Sequence, residues 1–115
     1  MTHSYIRAYR RRSALSQKEL GLLLGVPRNV ANELERGKRA PTLSLALRLQ
    51  AIFGVPPHAL FPELYDSVEE VAMAEAVRIH DGLEGKTDVR SVALRTFLEA
   101  MPKRGLPADV VDPSA

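Results

Sequence analysis

The segment RNVANELERG, residues 28–37, combines side chains that bond nucleic-acid bases with side chains that phosphates repel. Arg28, Asn29 and Asn32 carry the guanidinium and amide groups that form paired hydrogen bonds with guanine and adenine. Glu33 and Glu35 carry carboxylates, which have the same charge as a nucleic-acid backbone. The elements that position these groups therefore decide whether the segment is a nucleic-acid interface or only part of a small helical bundle.

Two short helices separated by a three-residue turn are predicted to hold these side chains. Ser16 is typical of a helix N-cap, and Glu19 completes a capping box. The helix is expected to end before Gly25, which can adopt a left-handed conformation. Pro27 suits the first turn of the next helix, which should run to about Arg36 and stop at the following glycine.

This pattern predicts a helix-turn-helix unit, in which two helices cross steeply at a short turn that contains a small residue. The first helix must approach the second closely, which favours a small residue near Gly21. The second helix is then free to lie in the major groove of duplex DNA. The apolar residues predicted to anchor both helices in the core are Leu20, Leu24, Val26, Ala31 and Leu34.

Three further helices are predicted around this unit. The first runs from about His3 to Ser13, the fourth from Thr42 until Gly54 stops it, and a short fifth covers about residues 57–61. No strand is expected, because β-branched residues are sparse and do not alternate over a useful length.

The C-terminal part is predicted to form two more helices. Ser67 and Glu70 make a second capping-box pattern, so the sixth helix should start there and reach about Asp81. The last helix should run from about Asp88 to Met101. The predicted apolar stripes are Val68, Val71, Ala72 and Ile79 on the sixth helix, and Val89, Val92, Ala93, Phe97 and Met101 on the last.

Basic residues are concentrated in the first half of the sequence. Residues 1–53 hold ten Lys and Arg against three acids, whereas residues 54–115 hold six against eleven. Such asymmetry is expected when one half of a chain faces a polyanion. Attraction between the two halves is the alternative explanation.

Composition excludes several classes of protein. The absence of cysteine excludes disulfides and thiolate metal sites. No apolar run approaches the roughly 18 residues of a membrane span, and the N-terminal residues lack the apolar stretch of a signal peptide. We therefore expect a cytoplasmic protein that makes no membrane contact.

Catalytic motifs are not found in the sequence. Gly85-Lys86-Thr87 is similar to the end of a phosphate-binding loop, but His80 stands where that loop needs glycine, and a predicted helix precedes it instead of a strand. The three histidines are far apart and show no ligand or triad spacing. Neither an enzyme nor a bound metal or cofactor is expected.

An ordered set of residues resembles the lambda-repressor/Cro-like (XRE-type) helix-turn-helix family. The set consists of Ser16-Gln17, Leu20, Leu24-Gly25-Val26, Leu34-Glu35-Arg36-Gly37 and Pro41. The resemblance covers about residues 5–61 and implies an all-α fold, a five-helix lambda-repressor-like domain to which this sequence adds a C-terminal helical hairpin. It also implies sequence-specific binding of double-stranded DNA, usually as a dimer. We therefore expect a transcriptional regulator and favour a repressor, although the sequence does not give the sign of regulation.

The resemblance assigns roles to individual residues. Arg28 and Asn29 match the positions that reach base edges, and Asn32 is a further candidate. Arg10 and Glu35 match a structural salt bridge between the first helix and the end of the recognition helix. The residues that match or fit phosphate contacts are Gln17, at the start of the second helix, and Lys38 and Arg39, in the loop after the recognition helix.

Glu33 has more than one interpretation. It can accept a hydrogen bond from cytosine N4, which would make it a base-contacting residue, or repel and so exclude wrong sites. It can also pair with Arg36 or Lys38, an arrangement that we favour slightly.

The sequence departs from the family pattern at several positions. Gly21 replaces a usual alanine, which costs helix propensity of about 1 kcal/mol, and Ala31 replaces a larger aliphatic residue. Leu22 and Leu23 stand where polar residues are usual. We expect another element or a partner to cover these two leucines, although isolated exposed leucines are common.

Three regions are predicted: a DNA-binding domain over residues 1–64, a hairpin over residues 65–102 and a mobile tail over residues 103–115. The hairpin is expected to form a homodimer, with an effector pocket as a weaker alternative. In another interpretation the chain is an antitoxin that binds a toxin through residues 67–101 and represses its own operon. A protein-interaction adaptor that has lost DNA binding is disfavoured by the basic first half.

Overall fold

The computed structural model describes residues 4–104 of the 115-residue chain. In this range the protein is built from α-helices without a strand, so the predicted all-α fold is confirmed. None of the described helices combines the length and the apolar character needed to cross a membrane. The helices are α1 (Ile6–Arg12), α2 (Gln17–Leu24), α3 (Arg28–Glu35), α4 (Leu43–Phe53), α5 (Pro57–Leu60), α6 (Pro62–Gly82) and α7 (Val89–Arg104).

The described residues divide into two compact units, one that ends at Tyr65 and one that begins at Asp66. The first unit contains α1–α5 around an aliphatic core. Complete burial of a leucine contributes about 1.5–3 kcal/mol, so these side chains fix how the helices pack. The fully or almost fully buried core residues are Ile6, Leu20, Leu24, Leu34, Leu49, Leu60 and Phe61.

Local signals set the ends of α2. The Ser16 hydroxyl accepts from the backbone N–H of Glu19 at 3.0 Å, and the Glu19 carboxylate accepts from the backbone N–H of Ser16 at 2.9 Å. The pKa of the Glu19 carboxyl is lowered, first by that backbone N–H and then by the Ser16 hydroxyl. At the other end Gly25 takes the left-handed conformation, with φ of 71°.

The α2–α3 turn is held by contacts that individual sequence patterns do not show. The Val26 N–H donates to the Gly21 carbonyl at 2.9 Å, which brings the turn against α2. A Cβ at Gly21 would lie 2.9 Å from the Val26 oxygen, so the glycine fits this close approach. From α4, Arg48 Nη1 donates to the Leu24 carbonyl at 3.0 Å and satisfies an end group of α2.

Two helix starts differ from the prediction. α1 begins at Ile6, and the part of its predicted range that falls on residues 1–3 lies outside the described residues. α6 begins at Pro62, so the predicted N-cap Ser67 is wrong and lies inside a continuous helix. Proline suits a first helical position, and no residue between Pro62 and Ser67 is a helix breaker.

The second unit is a hairpin of α6 and α7 with a small core. Ala76, Leu83 and Leu98 are buried, and Leu94 and Met101 pack against them. Asp88 caps α7: its carboxylate accepts from the Ser91 N–H at 3.1 Å and from the Ser91 hydroxyl at 2.7 Å. These two bonds, hydroxyl first, lower the pKa of the Asp88 carboxyl.

The predicted apolar stripes of the hairpin lie outside its small core, with the exception of Met101, which packs against that core. The helices meet through Ala76, Leu83 and Leu98, and Arg95 Nη1 donates to the Leu83 carbonyl at 2.6 Å. The side chains left exposed are Val68, Val71, Ala72 and Ile79 on α6 and Val89, Val92, Ala93 and Phe97 on α7. We call these eight residues the hairpin stripes.

The predicted tail begins too early. α7 extends to Arg104, so the first two residues of that tail are helical. The rest of the predicted tail, residues 105–115, lies outside the described residues.

Replacing Gly21 by alanine should destabilise the first unit, although helix propensity alone predicts the opposite. The added methyl group meets a backbone oxygen, and such overpacking outweighs the propensity gain, so we expect a net loss of about 1 kcal/mol. Gly82→Ala is the control, since nothing lies within 4 Å of a Cβ there; it should leave stability unchanged or raise it slightly. Thermal unfolding followed by circular dichroism measures both variants, and a more stable Gly21→Ala would contradict the packing argument.

Candidate nucleic-acid interface

α3 separates a polar face from a buried face. Ala31, Leu34 and Glu35 are buried, so this side of the helix is fixed against the first unit. The predicted base-contacting residues lie elsewhere on its surface: Arg28 and Asn29 are exposed, and Asn32 and Glu33 are partly exposed. The structure thus brings the four side chains together on one accessible surface of a single helix.

A buried ion pair fixes α3 to α1. Arg10 Nε donates to Glu35 Oε1 at 2.7 Å, and the side chains of Arg10 and Glu35 are only 14% and 2% exposed. Arg10 Nη1 also donates to the Leu15 carbonyl at 2.9 Å. Glu35 therefore points away from the accessible surface of α3, and its charge is compensated inside the domain.

Gln17 connects this ion pair to the predicted base-contacting residues. Its Nε2 donates to Glu35 Oε2 at 2.7 Å, and its Oε1 accepts from Arg28 Nε at 3.2 Å. One amide N–H of Gln17 remains for another acceptor. The two terminal nitrogens of Arg28 have no partner among the described residues, so this network positions Arg28 and leaves its donors available.

Glu33 pairs with Arg39, and neither of the partners expected from the sequence, Arg36 or Lys38, takes that place. Arg39 Nε donates to Glu33 Oε2 at 2.7 Å, and both side chains are partly exposed. The backbone N–H of Lys38 donates to the Glu33 carbonyl at 2.9 Å, which folds the loop back and brings Arg39 within reach. Two predicted DNA contacts, one acidic and one basic, thus form an ion pair with each other.

Sequence reasoning missed a group of arginines beside this surface. Arg7 and Arg11 on α1 and Arg36 at the end of α3 line one concavity. Arg36 follows Asn32 by four residues and Glu33 by three, which is the signal that places it on the same side of the helix.

The structure also locates the segment that is similar to a phosphate-binding loop. Gly85 lies in the turn between α6 and α7 with φ of 78°, and the preceding element is a helix, whereas a phosphate-binding loop follows a strand. Within residues 4–104, no three His, Asp or Glu side chains are arranged to hold a metal ion.

A helix-turn-helix unit with an accessible polar second helix, carried by a five-helix domain, defines a DNA-binding domain. A family model described as helix-turn-helix matches residues 6–60. These residues belong to the lambda-repressor-like (XRE-type) helix-turn-helix family of DNA-binding transcriptional regulators, as the sequence predicted. No curated protein and no solved structure matches the chain.

Breaking the Arg10–Glu35 pair should destabilise the domain strongly. Arg10→Met or Glu35→Gln should each lower the free energy of unfolding by about 3 kcal/mol, because each leaves a buried charge without its partner. The double variant should lose less than the sum of the two. Urea denaturation measures these values. Glu75→Gln, which removes the exposed 3.4 Å pair with Arg78, is the control and should cost less than about 1 kcal/mol; strictly additive losses at Arg10 and Glu35 would contradict their coupling.

Proposed function

We propose that the protein is a sequence-specific transcriptional repressor that binds duplex DNA as a dimer, with α3 in the major groove. The observation that carries this proposal is the hydrogen-bonded chain Arg10–Glu35–Gln17–Arg28. It fixes the orientation of α3 and holds a base-contacting side chain at its exposed beginning. Such preorganisation reduces the ordering cost of binding.

The exposed residues of α3 supply base contacts in this proposal. Arg28 donates to guanine O6 and N7, and Asn29 bonds adenine N6 and N7. Asn32 and Glu33 lie farther along the helix and serve as additional contacts, Glu33 through cytosine N4. Different bases thus require different groups along one helix, which is the physical basis of sequence preference.

Backbone contacts come from both sides of α3. Gln17 uses its remaining N–H for a phosphate at the start of α2, and Lys38 and Arg39 contact the DNA backbone beyond the end of α3. Phosphate contacts of this kind fix register and orientation and leave sequence preference to the base contacts.

The hairpin supplies dimerisation in this proposal. Its core is small, whereas the hairpin stripes leave large side chains uncovered, among them Val68 at 60%, Val89 at 87% and Phe97 at 56% exposure. Two copies that pack their stripes together would form a four-helix arrangement and bury this surface. Leu22 and Leu23, 74% and 49% exposed, are further apolar surface that the dimer would cover.

Repression needs only that the protein occupy its DNA site, whereas activation needs an additional surface that engages the transcription machinery. The antitoxin alternative rests on the same hairpin stripes, occupied by a different protein. The oligomeric state of the isolated protein separates the two proposals, because the antitoxin hypothesis does not require self-association through the stripes.

Arg28→Ala should weaken binding to the preferred DNA site by about 1–3 kcal/mol and relax the preference at one base pair. Selection from random duplexes identifies the site, and fluorescence anisotropy measures the affinities. Arg90→Ala, an exposed arginine at the start of α7, is the control and should change neither affinity nor preference. Unchanged selectivity of Arg28→Ala would remove this residue from the base contacts, and failure to enrich any duplex with the wild-type protein would contradict the proposed function.

Introducing a charge into the hairpin stripes should dissociate the dimer. Val68→Glu places a carboxylate in the proposed interface and should yield a monomer in sedimentation equilibrium, with weaker binding to a site with two-fold symmetry. Val77→Glu is a matched control: Val77 is the same residue type, 58% exposed, on the opposite side of α6. It should remain dimeric. A monomeric wild-type protein would favour the antitoxin hypothesis.

A further inference from the structure

A concavity of about 480 Å³ lies between α1 and the C-terminal end of α3. Its lining includes three arginines, Arg7 and Arg11 from α1 and Arg36 from α3. All three residues are exposed, and none forms an ion pair with a carboxylate of the described residues. We call this feature the arginine concavity.

The charge in the arginine concavity is not balanced locally. Glu35 is the one acid among its described lining residues, but Arg10 and Gln17 already hydrogen-bond its two carboxylate oxygens at 2.7 Å each. Arg7 and Arg11 are four residues apart on one helix, where like charges destabilise each other. A bound anion would compensate this repulsion, and guanidinium groups match the oxygens of a phosphate especially well.

The position of the concavity points to DNA as the source of that phosphate. Arg36 continues the line of Asn29, Asn32 and Glu33 along α3. Eight residue steps separate it from Arg28, which is about 12 Å along a helix axis and close to the roughly 12 Å width of the major groove. With the exposed start of α3 at the base edges, the arginine concavity at the other end of the helix would lie where the helix leaves the groove, next to a phosphate backbone.

We propose that the arginine concavity binds a backbone phosphate of duplex DNA through Arg7, Arg11 and Arg36. The proposal rests on the proposed DNA-binding function and adds a contact to α1, which lies outside the helix-turn-helix unit. Arg36 bonds the phosphate from the recognition helix, and Arg7 and Arg11 enclose it from the other side. The contact fixes the depth and tilt of α3 in the groove and is independent of base sequence.

Neutral-phosphate scanning tests the proposal on the full chain. Single phosphates of the preferred duplex are replaced in turn by uncharged methylphosphonates, and the affinity of each duplex is measured. For the wild-type protein, one position should lower affinity about fivefold at physiological salt, the value of one lost phosphate contact. The double variant Arg7→Gln/Arg11→Gln should bind unmodified DNA about fivefold more weakly than the wild-type protein. A methylphosphonate at the sensitive position should not lower its affinity further, whereas methylphosphonates at other sensitive positions should lower it as they do for the wild-type protein.

The matched control is Lys86→Gln/Arg90→Gln, which removes the same net charge from the turn and the start of α7. It should bind like the wild-type protein and show the same methylphosphonate pattern. Arg36→Gln should reproduce the loss at the same phosphate. Thermal unfolding of each variant verifies that the exposed substitutions leave the fold intact.

Two results would overturn the proposal while leaving DNA binding established. In the first, Arg7→Gln/Arg11→Gln binds like the control and keeps every methylphosphonate effect. In the second, inorganic phosphate at constant ionic strength shifts the side-chain NMR signals of Arg7 and Arg11 but no methylphosphonate effect depends on them, which assigns the concavity to a small phosphate ligand. A wild-type protein that binds no duplex contradicts the proposed function itself.

Discussion

The first unit depends on a single buried carboxylate. Glu35 ends α3 inside the domain, and a buried carboxylate is tolerated only when its charge and both oxygens are compensated. Arg10 supplies the charge and Gln17 supplies the second hydrogen bond, so α1, α2 and α3 must meet at this point. Because this side of α3 faces inward, its opposite surface faces outward with its polar side chains. Gln17, which is hydrogen-bonded to Glu35, also accepts a hydrogen bond from Arg28. Beside the aliphatic core, the same ion pair thus contributes both to stability and to the presentation of the candidate DNA-binding surface.

Sequence reasoning succeeded where the determining interaction is local. The capping box of Ser16 and Glu19 and the left-handed glycine at position 25 involve residues close in the chain, and both are present. The distant Arg10–Glu35 pair was expected only from the family resemblance, and other distant contacts were not foreseen. The hairpin helices pack through Ala76, Leu83 and Leu98, which the sequence did not identify, because helix rotation depends on which sides fit together. Glu33 pairs with Arg39, and not with Arg36 or Lys38, which are nearer in sequence, because of a loop conformation that residue spacing does not reveal. The arginine concavity likewise brings together residues that are far apart in sequence.

The two units differ in core size and in charge. The first has a larger aliphatic core and an excess of basic residues, although Leu22, Leu23, Leu43 and Leu47 are exposed on it. The second has few buried side chains, and its surface combines the exposed apolar stripes with an excess of acidic residues. A two-helix hairpin encloses little volume and buries too little surface to be stable alone, which is consistent with the proposal that a second copy covers the exposed stripes. Most basic residues lie in the first unit, and most acidic residues lie after it in the chain.

The Glu33–Arg39 pair changes what a phosphate contact by Arg39 would cost. A free arginine that meets DNA displaces a condensed cation from the backbone, which produces the usual salt dependence. Arg39 already has its counter-anion within the protein, so its transfer to a phosphate leaves Glu33 uncompensated. In the proposed complex, the neutral amino group of a cytosine would replace the hydrogen bond that Glu33 loses, although not the charge of Arg39, and a base without such a donor would not. If Arg39 binds a phosphate in this way, that contact would acquire a base preference, and fewer ions would be released on binding than the number of basic residues at the interface would imply.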